Sequence, residues 1–247
     1  MKSLGIIPAR YNSSRLEGKP LADIAGKTMI QRVFEQASKA MDYTYVATDD
    51  ERIASAVDAF GGKVVMTSKD HKSGTDRVAE AARILTDKLD FDVVVNIQGD
   101  EPFIDPSDLT GLLQLFADDA VMIGTAVKES RGEEDIINPN NVKVVLDDFA
   151  NALYFSRYPI PYIRDKNHNL THKYWKHIGL YAYRKNTLQE LALMEQSSLE
   201  LAESLEQLRW ISKGYRIRTF ETYRNSIGVD TKEDLNKAVE YAMKNNC

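Results

Sequence analysis

Two periods of hydrophobic residues alternate along the first half of the chain, and no other sequence feature restricts the fold as strongly. Short apolar runs of strand length are each followed by a segment in which apolar residues recur every three to four positions. The strands are predicted at Ser3–Pro8, Tyr43–Thr48, Lys63–Thr67, Phe91–Ile97 and Val121–Val127. The helices between them are predicted at Met29–Ala40, Glu51–Phe60, Asp76–Leu85 and Ser107–Phe116. This alternation predicts a mostly parallel sheet with helices on both faces.

The alternation becomes irregular after about residue 130. The remaining predictions are a hairpin of Val142–Leu146 with Ala152–Phe155, strands at Ile178–Tyr183 and Tyr215–Thr219, helices near 187–194 and 199–212, and a final helix capped by Thr231. We find no internal repeat and no linker of the kind that separates independent domains. We therefore expect one domain over residues 1–247, in which residues 131–247 elaborate the sheet that residues 1–130 begin.

The composition excludes several classes of protein. A net charge of −5 and a pI near 5.5 argue against a nucleic-acid binder that relies on a broad basic surface. No run approaches the roughly 20 apolar residues that a membrane-spanning helix needs, and the apolar start is too short for a signal peptide. The single cysteine, Cys247, permits no internal disulfide. We expect a cytoplasmic protein without membrane insertion or a nucleic-acid partner.

An acidic turn follows the predicted strand Phe91–Ile97. The sequence changes there from Val-Val-Val-Asn-Ile to Gln-Gly-Asp-Glu-Pro at residues 98–102. Ligands bind at the carboxyl ends of parallel strands, so Asp100 is well placed to hold Mg²⁺ against a substrate phosphate. The alternative is a turn whose Asp and Pro merely end the strand.

A basic loop follows the first predicted strand. Arg10, Arg15 and Lys19 stand among small residues, which let backbone amides approach an anion while the three cations neutralise a triphosphate. The loop contains neither a Walker A pattern nor the glycine pattern of a dinucleotide-binding loop. The alternative is a solvated basic loop without a ligand.

Five segments, in this order, resemble the sugar-acid cytidylyltransferases and, among them, the 3-deoxy-manno-octulosonate (Kdo) cytidylyltransferase, or CMP-Kdo synthetase, family. The first has the pattern Ile-Pro-Ala-Arg-x-x-Ser-x-Arg-x-x-Gly-Lys-Pro over residues 7–20. The others are residues 71–77, 98–102, 177–181 and 226–231. The family usually has proline where this chain has Glu17, which adds a negative charge beside the basic loop.

The resemblance implies a three-layer α/β/α, Rossmann-like nucleotidyltransferase fold of the nucleotide-diphospho-sugar transferase type, a homodimer, Mg²⁺, and activation of Kdo by CTP for lipopolysaccharide synthesis. Residues 1–130 would mainly bind CTP, and residues 131–247 would bind the sugar and form the dimer. The implied nucleotide-binding residues are Ala9, Arg10, Arg15, Lys19, Ser73, Gly74 and Gln98. Arg10, Lys19 and Asp100 would be catalytic, and Asp100 and Asp230 would hold the metal. Ser73 and Asp230 are also explained as residues at helix starts, and His71 is expected to be structural.

The resemblance also implies a sugar site. Its members are Arg157, which suits a carboxylate, and His177, Tyr181, Glu206 and Gln207, which suit hydroxyl groups. On a strand, His177 and Tyr181 lie four positions apart and so point to the same face. Residue identities do not separate Kdo from its 8-amino analogue; sialic and pseudaminic acids fit less well.

Two other functions are compatible with parts of the pattern. A glycosyltransferase of related sheet topology also places an acidic turn at a strand end, but it consumes a nucleotide-sugar. A non-catalytic nucleotide-binding module needs only the basic loop and leaves the acidic pair without a purpose. The identity of the product distinguishes the first, and binding without turnover identifies the second.

Overall fold

The computed structural model describes residues 1–12, 15–71, 73–130, 132–164, 172–224 and 227–245. Ser13, Lys72 and Ser226 of the motifs above, and Cys247, lie outside this part of the chain. The chain divides into two compact units, each of which is described by itself. Unit 1 comprises Met1–Thr110 and Arg224–Cys247, and unit 2 comprises Gly111–Tyr223. No helix of the described residues is long and apolar enough to cross a bilayer.

Unit 1 is built on four parallel strands, β1 (Ser3–Ala9), β4 (Tyr43–Thr48), β5 (Val64–Met66) and β6 (Val93–Asn96). Their order in the sheet is β6-β1-β4-β5. Two further strands, β2 (Asp23–Ile24) and β3 (Lys27–Thr28), form a small hairpin. The helices are α1 (Met29–Ala37), α2 (Glu51–Ala59), α3 (Gly74–Thr86), the start of α4 (Pro106–Gln114), and α9 (Lys232–Asn245). Every residue of β6 is buried, which explains its continuous apolar sequence.

The last segment of the chain returns to unit 1 through a small apolar core. Val229 at the start of this segment and Ala238 of α9 are fully buried with Ile24 and Met29. Thr231 and Asp234 form the predicted reciprocal cap of α9, since each backbone N–H donates to the other's side chain at 3.2 Å or less. Burial and capping together fix the residue between them, Asp230.

Unit 2 contains a mixed sheet. Its strands are β7 (Ile123–Glu129), β8 (Lys143–Leu146), β9 (Ala152–Ser156), β10 (Trp175–Arg184) and β11 (Ile217–Glu221). Strand β7 pairs in parallel with β11 and antiparallel with β10. Strand β8 pairs antiparallel with both β10 and β9. The helices are α5 (Glu133–Ile137), α6 (Lys185–Ala192), α7 (Ser198–Glu203) and α8 (Gln207–Ser212). The predicted hairpin of β8 and β9 is confirmed.

Two predicted helix features are wrong. Residues 199–212 do not form one helix, because Ser204 adopts a left-handed conformation (φ 52°) that ends α7 before α8 begins at Gln207. Ser107 does not cap α4. That helix begins at Pro106, and Oδ1 of Asp105 accepts a hydrogen bond from the backbone N–H of Ser107 instead. Proline suits the first turn because its missing N–H needs no partner there.

Candidate active site

A cleft of about 430 Å³ in unit 1 lies at the carboxyl ends of β1 and β6. It contains most of the predicted nucleotide-binding and metal-binding residues. The residues that line it are Pro8, Ala9, Arg10, Asn12, Arg15, Lys19, Pro20, Gly74, Arg77, Gln98, Gly99, Asp100 and Asp230. The parallel strands place these residues together because their carboxyl ends meet at one edge of the sheet.

The two predicted metal ligands converge on one point. Nζ of Lys19 lies 2.8 Å from Oδ2 of Asp100 and 3.1 Å from Oδ1 of Asp230. Nη2 of Arg15 lies 3.2 Å from the same oxygen of Asp230. The backbone joins the two acidic segments, since the N–H of Val229 donates to the carbonyl of Asp100 at 2.9 Å. Residues 130 positions apart in the sequence therefore form one acidic pair beside the basic loop.

The acidic pair also controls the charge of Lys19. Burial alone would lower the pKa of this side chain, but the adjacent carboxylates of Asp100 and Asp230 outweigh burial and raise its pKa above the usual value. Lys19 is therefore a fixed cation at the acidic end of the cleft.

This donor set fits Mg²⁺. The ion takes one or two carboxylates and completes its octahedron with phosphate oxygens and water. Both carboxylates reach a single ammonium nitrogen, so both can reach one cation. Among the described residues, no group of three or more His, Cys, Asp and Glu side chains is arranged to hold a metal. A site made of two carboxylates thus depends on substrate oxygens.

The basic loop is held by its own contacts. The N–H of Gly18 donates to the carbonyl of Tyr11 at 3.0 Å, and Gly18 has the positive φ of 65° that favours glycine. The guanidinium of Arg52 lies 3.2 Å from the centre of the Tyr11 ring. Glu17 is exposed and contributes to raising the pKa of Arg52, after the larger effect of Asp50. The charge of Glu17 therefore acts on Arg52, and Glu17 is not among the residues that line the cleft.

Ser73 and His71 have structural contacts. Ser73 caps α3 through a reciprocal pair of hydrogen bonds with Asp76, each of 3.1 Å. Nε2 of His71 lies 2.5 Å from Oε2 of Glu80, and its backbone carbonyl accepts a hydrogen bond from Nη2 of Arg10. His71 thus supports the position of Arg10. A nucleotide contact by Ser73 stays a prediction.

In unit 2, the two predicted sugar ligands of β10 lie side by side. The rings of His177 and Tyr181 are 5.2 Å apart, although the strand is irregular between Ile178 and Tyr181. Nε2 of His177 lies 3.1 Å from Oγ1 of Thr125. Burial lowers the pKa of His177 to about 3 and raises that of Tyr181 well above its usual value. Both side chains are therefore uncharged hydrogen-bonding groups at neutral pH.

Arg157 is bonded to the protein's own backbone. Its guanidinium donates to the carbonyls of Glu203 (2.9 Å), Pro139 (3.1 Å) and Ser204 (3.4 Å). Lys143, which is fully buried, donates to the carbonyls of Asn138, Asn141 and Arg157. Arg157 and Lys143 therefore connect the segments at residues 138–141, 157 and 203–204. The bonds of Arg157 use three of the five N–H donors of its guanidinium. Binding of a sugar carboxylate by Arg157 stays a prediction.

Glu206 and Gln207 lie at the start of α8. Glu206 occupies the position before its first residue, and its Oε1 is 3.7 Å from Nη2 of Arg209. Gln207 is buried. Arg209 is itself held by a buried two-bond pair with Glu200, at 2.6 and 2.7 Å. The segment is therefore anchored, and its sugar contacts stay a prediction.

Comparison with known proteins identifies the family. A profile described as Cytidylyltransferase matches residues 4–218. A 3-deoxy-manno-octulosonate cytidylyltransferase of Bacteroides thetaiotaomicron is 57% identical over 99% of each chain, and one of Parabacteroides distasonis is 53% identical over 98% of each. The chain belongs to the 3-deoxy-manno-octulosonate cytidylyltransferase family. It is a nucleotidyltransferase.

A solved structure agrees with this family. It is described as CMP:2-keto-3-deoxy-manno-octonic acid synthetase complexed with CTP, has 45% sequence identity, and superimposes with a TM-score of 0.91 over 99% of this chain and all of that one. The predicted three-layer α/β/α, Rossmann-like nucleotidyltransferase fold is confirmed.

The family resemblance implies that residues 71–77 contact the cytidine, but it gave Arg77 no role of its own. Arg77 lines the cleft and has no solvent-exposed surface. Its charge beside the helix start was the available signal, but an arginine in a helix is usually exposed, and only the fold shows that this one is buried.

Proposed function

We propose that this protein transfers the cytidylyl group of CTP to a Kdo-type sugar acid, which gives the CMP-sugar and pyrophosphate for lipopolysaccharide synthesis. The observation that carries the proposal is the convergence of Asp100 and Asp230 beside Lys19 and Arg15 in one cleft. The names of the relatives and of the CTP-bound structure support the choice of nucleotide and sugar.

Arg10, Arg15 and Lys19 would bind the triphosphate. Nucleotidyl transfer depends mainly on positioning and electrostatic stabilisation of a highly charged phosphorus centre. Lys19 is already fixed by two carboxylates, so it can contact a phosphate oxygen without a large loss of side-chain entropy. Arg10 and Arg15 are exposed, and each is already oriented by one contact, Arg10 by the carbonyl of His71 and Arg15 by Asp230.

Asp100 and Asp230 would hold Mg²⁺ between them and the phosphates. When bound, the ion would polarise the α-phosphate and lower the pKa of the attacking hydroxyl. The carboxylate of Asp230 would also offset the repulsion between Lys19 and Arg15, since both pair with its Oδ1.

The reaction forms one bond and breaks one bond. The oxygen of the anomeric 2-hydroxyl bonds to the α-phosphorus, the bond from that phosphorus to the bridging oxygen breaks, and pyrophosphate departs with the bonding electrons. The hydroxyl proton passes to solvent, and we assign no side-chain base. Arg157, His177, Tyr181, Glu206 and Gln207 would hold the sugar acid.

A matrix of nucleotides against sugar acids tests the proposal. Purified protein with Mg²⁺ would be assayed for pyrophosphate release and product mass with CTP, UTP and ATP, each against Kdo, 8-amino-Kdo and sialic acid. We expect release only with CTP and a Kdo-type acid. In a separate incubation with a nucleotide-sugar, release of nucleoside diphosphate would indicate a glycosyltransferase. Binding of CTP without turnover would indicate a non-catalytic module.

The homodimer and the cytoplasmic location are part of the same proposal. The homodimer derives from the family resemblance, and the cytoplasmic location derives from the cysteine content of the sequence. Light scattering coupled to size exclusion measures the first, and fractionation of the source cells measures the second.

A further inference from the structure

A bulge in β10 brings His177 and Tyr181 together. On a regular strand, residues four positions apart are separated by about 13 Å, because the chain rises about 3.3 Å per residue. In this sheet His177 pairs with Val127 of β7 and Tyr181 pairs with Thr125, so three residues of β10 oppose a single residue of β7. The two side chains therefore stand opposite positions only two residues apart, and their rings lie 5.2 Å from each other.

The hydroxyl group of Thr125 lies against this bulge. Thr125 is fully buried. Its Oγ1 is 2.8 Å from the carbonyl oxygen of Leu180 and 3.3 Å from that of Ile178. The same oxygen is 3.1 Å from Nε2 of His177. Thr125 thus contacts both the bulged backbone and the ring of a predicted sugar ligand.

The single hydrogen of the Thr125 hydroxyl decides the direction of these bonds. A threonine hydroxyl donates once and can accept in return, whereas a carbonyl oxygen only accepts. If the hydroxyl donated to His177, the oxygens of Thr125 and Leu180 would face each other at 2.8 Å without a hydrogen between them. The hydroxyl therefore donates to the carbonyl of Leu180, and Nε2 of His177 donates to the hydroxyl.

The hydrogen on Nε2 determines the chemistry of the other ring nitrogen. Burial lowers the pKa of His177 to about 3, so the imidazole is neutral at neutral pH. A neutral imidazole carries a hydrogen on one nitrogen only, and the other nitrogen accepts. Within the described residues, Nε2 is the ring nitrogen of His177 that forms a hydrogen bond. Nδ1 is therefore left as an acceptor for a ligand.

We propose that Thr125 is a positioning residue that fixes His177 as the Nε2–H tautomer, so that Nδ1 accepts a hydrogen bond from a donor group of the sugar acid. The inference rests on the proposed function, which assigns His177 to the sugar, and it specifies the kind of group that His177 binds. A hydroxyl or an ammonium group can donate to Nδ1. A carboxylate or carbonyl oxygen cannot, because two acceptors would face each other.

Nuclear magnetic resonance reads the tautomer directly. Long-range ¹H–¹⁵N correlation spectra of ¹⁵N-histidine-labelled, ligand-free protein show which ring nitrogen carries the hydrogen. The chain has four histidines, and His177→Asn identifies the signals of this one. We expect the Nε2–H form in the wild type and in Thr125→Ser, which keeps the hydroxyl. Thr125→Val keeps the branched shape without the hydroxyl and should give a mixture of both tautomers.

Sugar kinetics test the consequence for binding. The KM for Kdo should rise by about threefold to tenfold in Thr125→Val, the range for one hydrogen bond, while the KM for CTP stays unchanged. Thr125→Ser should restore the wild-type KM. Thr219→Val is the matched control, because Thr219 is a buried threonine that pairs with Thr125 on β11. Its hydroxyl donates to the carbonyl of Ala150 at 2.9 Å and not to the ring of His177.

Three results would overturn the inference. These are an Nδ1–H tautomer in the wild type, a pure Nε2–H form in Thr125→Val, and an equal rise of the KM for Kdo in Thr219→Val. The wild-type and serine spectra decide the tautomer even if thermal unfolding shows that the valine variant is not folded. Absence of pyrophosphate release by the wild type would overturn the proposed function and the sugar contact, but not the tautomer, which is read without a ligand.

Discussion

At the scale of single residues, the cleft is organised by opposite charges that hold one another in place. Lys19 is partly buried between Asp100 and Asp230, and its contacts orient both carboxylates before any ligand arrives. Such a pre-oriented site stabilises a charged transition state without further reorganisation. Loss of one of these three side chains should therefore lower the turnover rate more than it lowers the stability of the fold.

Asp100→Asn is expected to lower kcat by about hundredfold or more, the effect of removing one such electrostatic contact. The amide leaves Lys19 with one carboxylate and the proposed metal site with one charged ligand. The measurement is pyrophosphate release at saturating CTP and sugar acid. Asp58→Asn, at an exposed position of α2, is the control. Wild-type turnover by Asp100→Asn would refute the role of this carboxylate.

His177 gives a prediction about pH. Its pKa is lowered from 6.5 to about 3 by burial, so the folded protein keeps it neutral where the unfolded chain protonates it. Its contribution to stability is complete above pH 6.5 and is lost as the pH falls towards 3, by up to about 1.4 kcal/mol per unit. Urea unfolding at several pH values measures this slope. His177→Asn should flatten the slope, and His172→Gln, at an exposed position, should not.

At the scale of elements, helix starts position much of the site. The start of α3 places Gly74 in the cleft, and the start of α9 follows Asp230 directly. Both starts use reciprocal caps, in which a hydroxyl and a carboxylate each accept a backbone hydrogen bond. The caps account for Ser73 and Thr231 without a ligand.

Substitutions of Ser73 separate capping from nucleotide binding. Ser73→Ala should lower the free energy of unfolding by about 1 kcal/mol, and Ser73→Gly by only a few tenths, since glycine is tolerated at this position. Chemical denaturation measures both. The KM for CTP should stay near the wild-type value in the glycine variant. An equal, large rise of this KM in both variants would show that the hydroxyl binds the nucleotide.

At the scale of the whole molecule, the last 24 residues rejoin the first 110 in one compact unit. The buried contacts of Val229, Ile24 and Met29 hold this connection and bring Asp230 to the cleft. The cleft therefore combines residues of the first 110 positions with Asp230.

Hydrogen exchange tests this division of the chain. CTP with Mg²⁺ should protect backbone amides at residues 8–20, 98–101 and 227–231, because these segments line or adjoin the cleft. Protection at residues 98–101 without protection at 227–231 would contradict a shared site. A sugar acid alone should change exchange mainly near His177 and Gln207.

The sequence by itself determined the alternation of strands and helices, the basic loop, the acidic turn and the family, because these depend on local patterns and on motifs read along the chain. It did not determine where α7 ends, since the left-handed Ser204 has no local signal comparable to glycine. Only the tertiary structure decided that Arg77 is buried, with two donors that find no partner in the part of the chain that the structure describes, and that Arg157 is bonded to backbone carbonyls. Burial and partners of a side chain depend on residues distant in sequence, and packing alone brings those residues together.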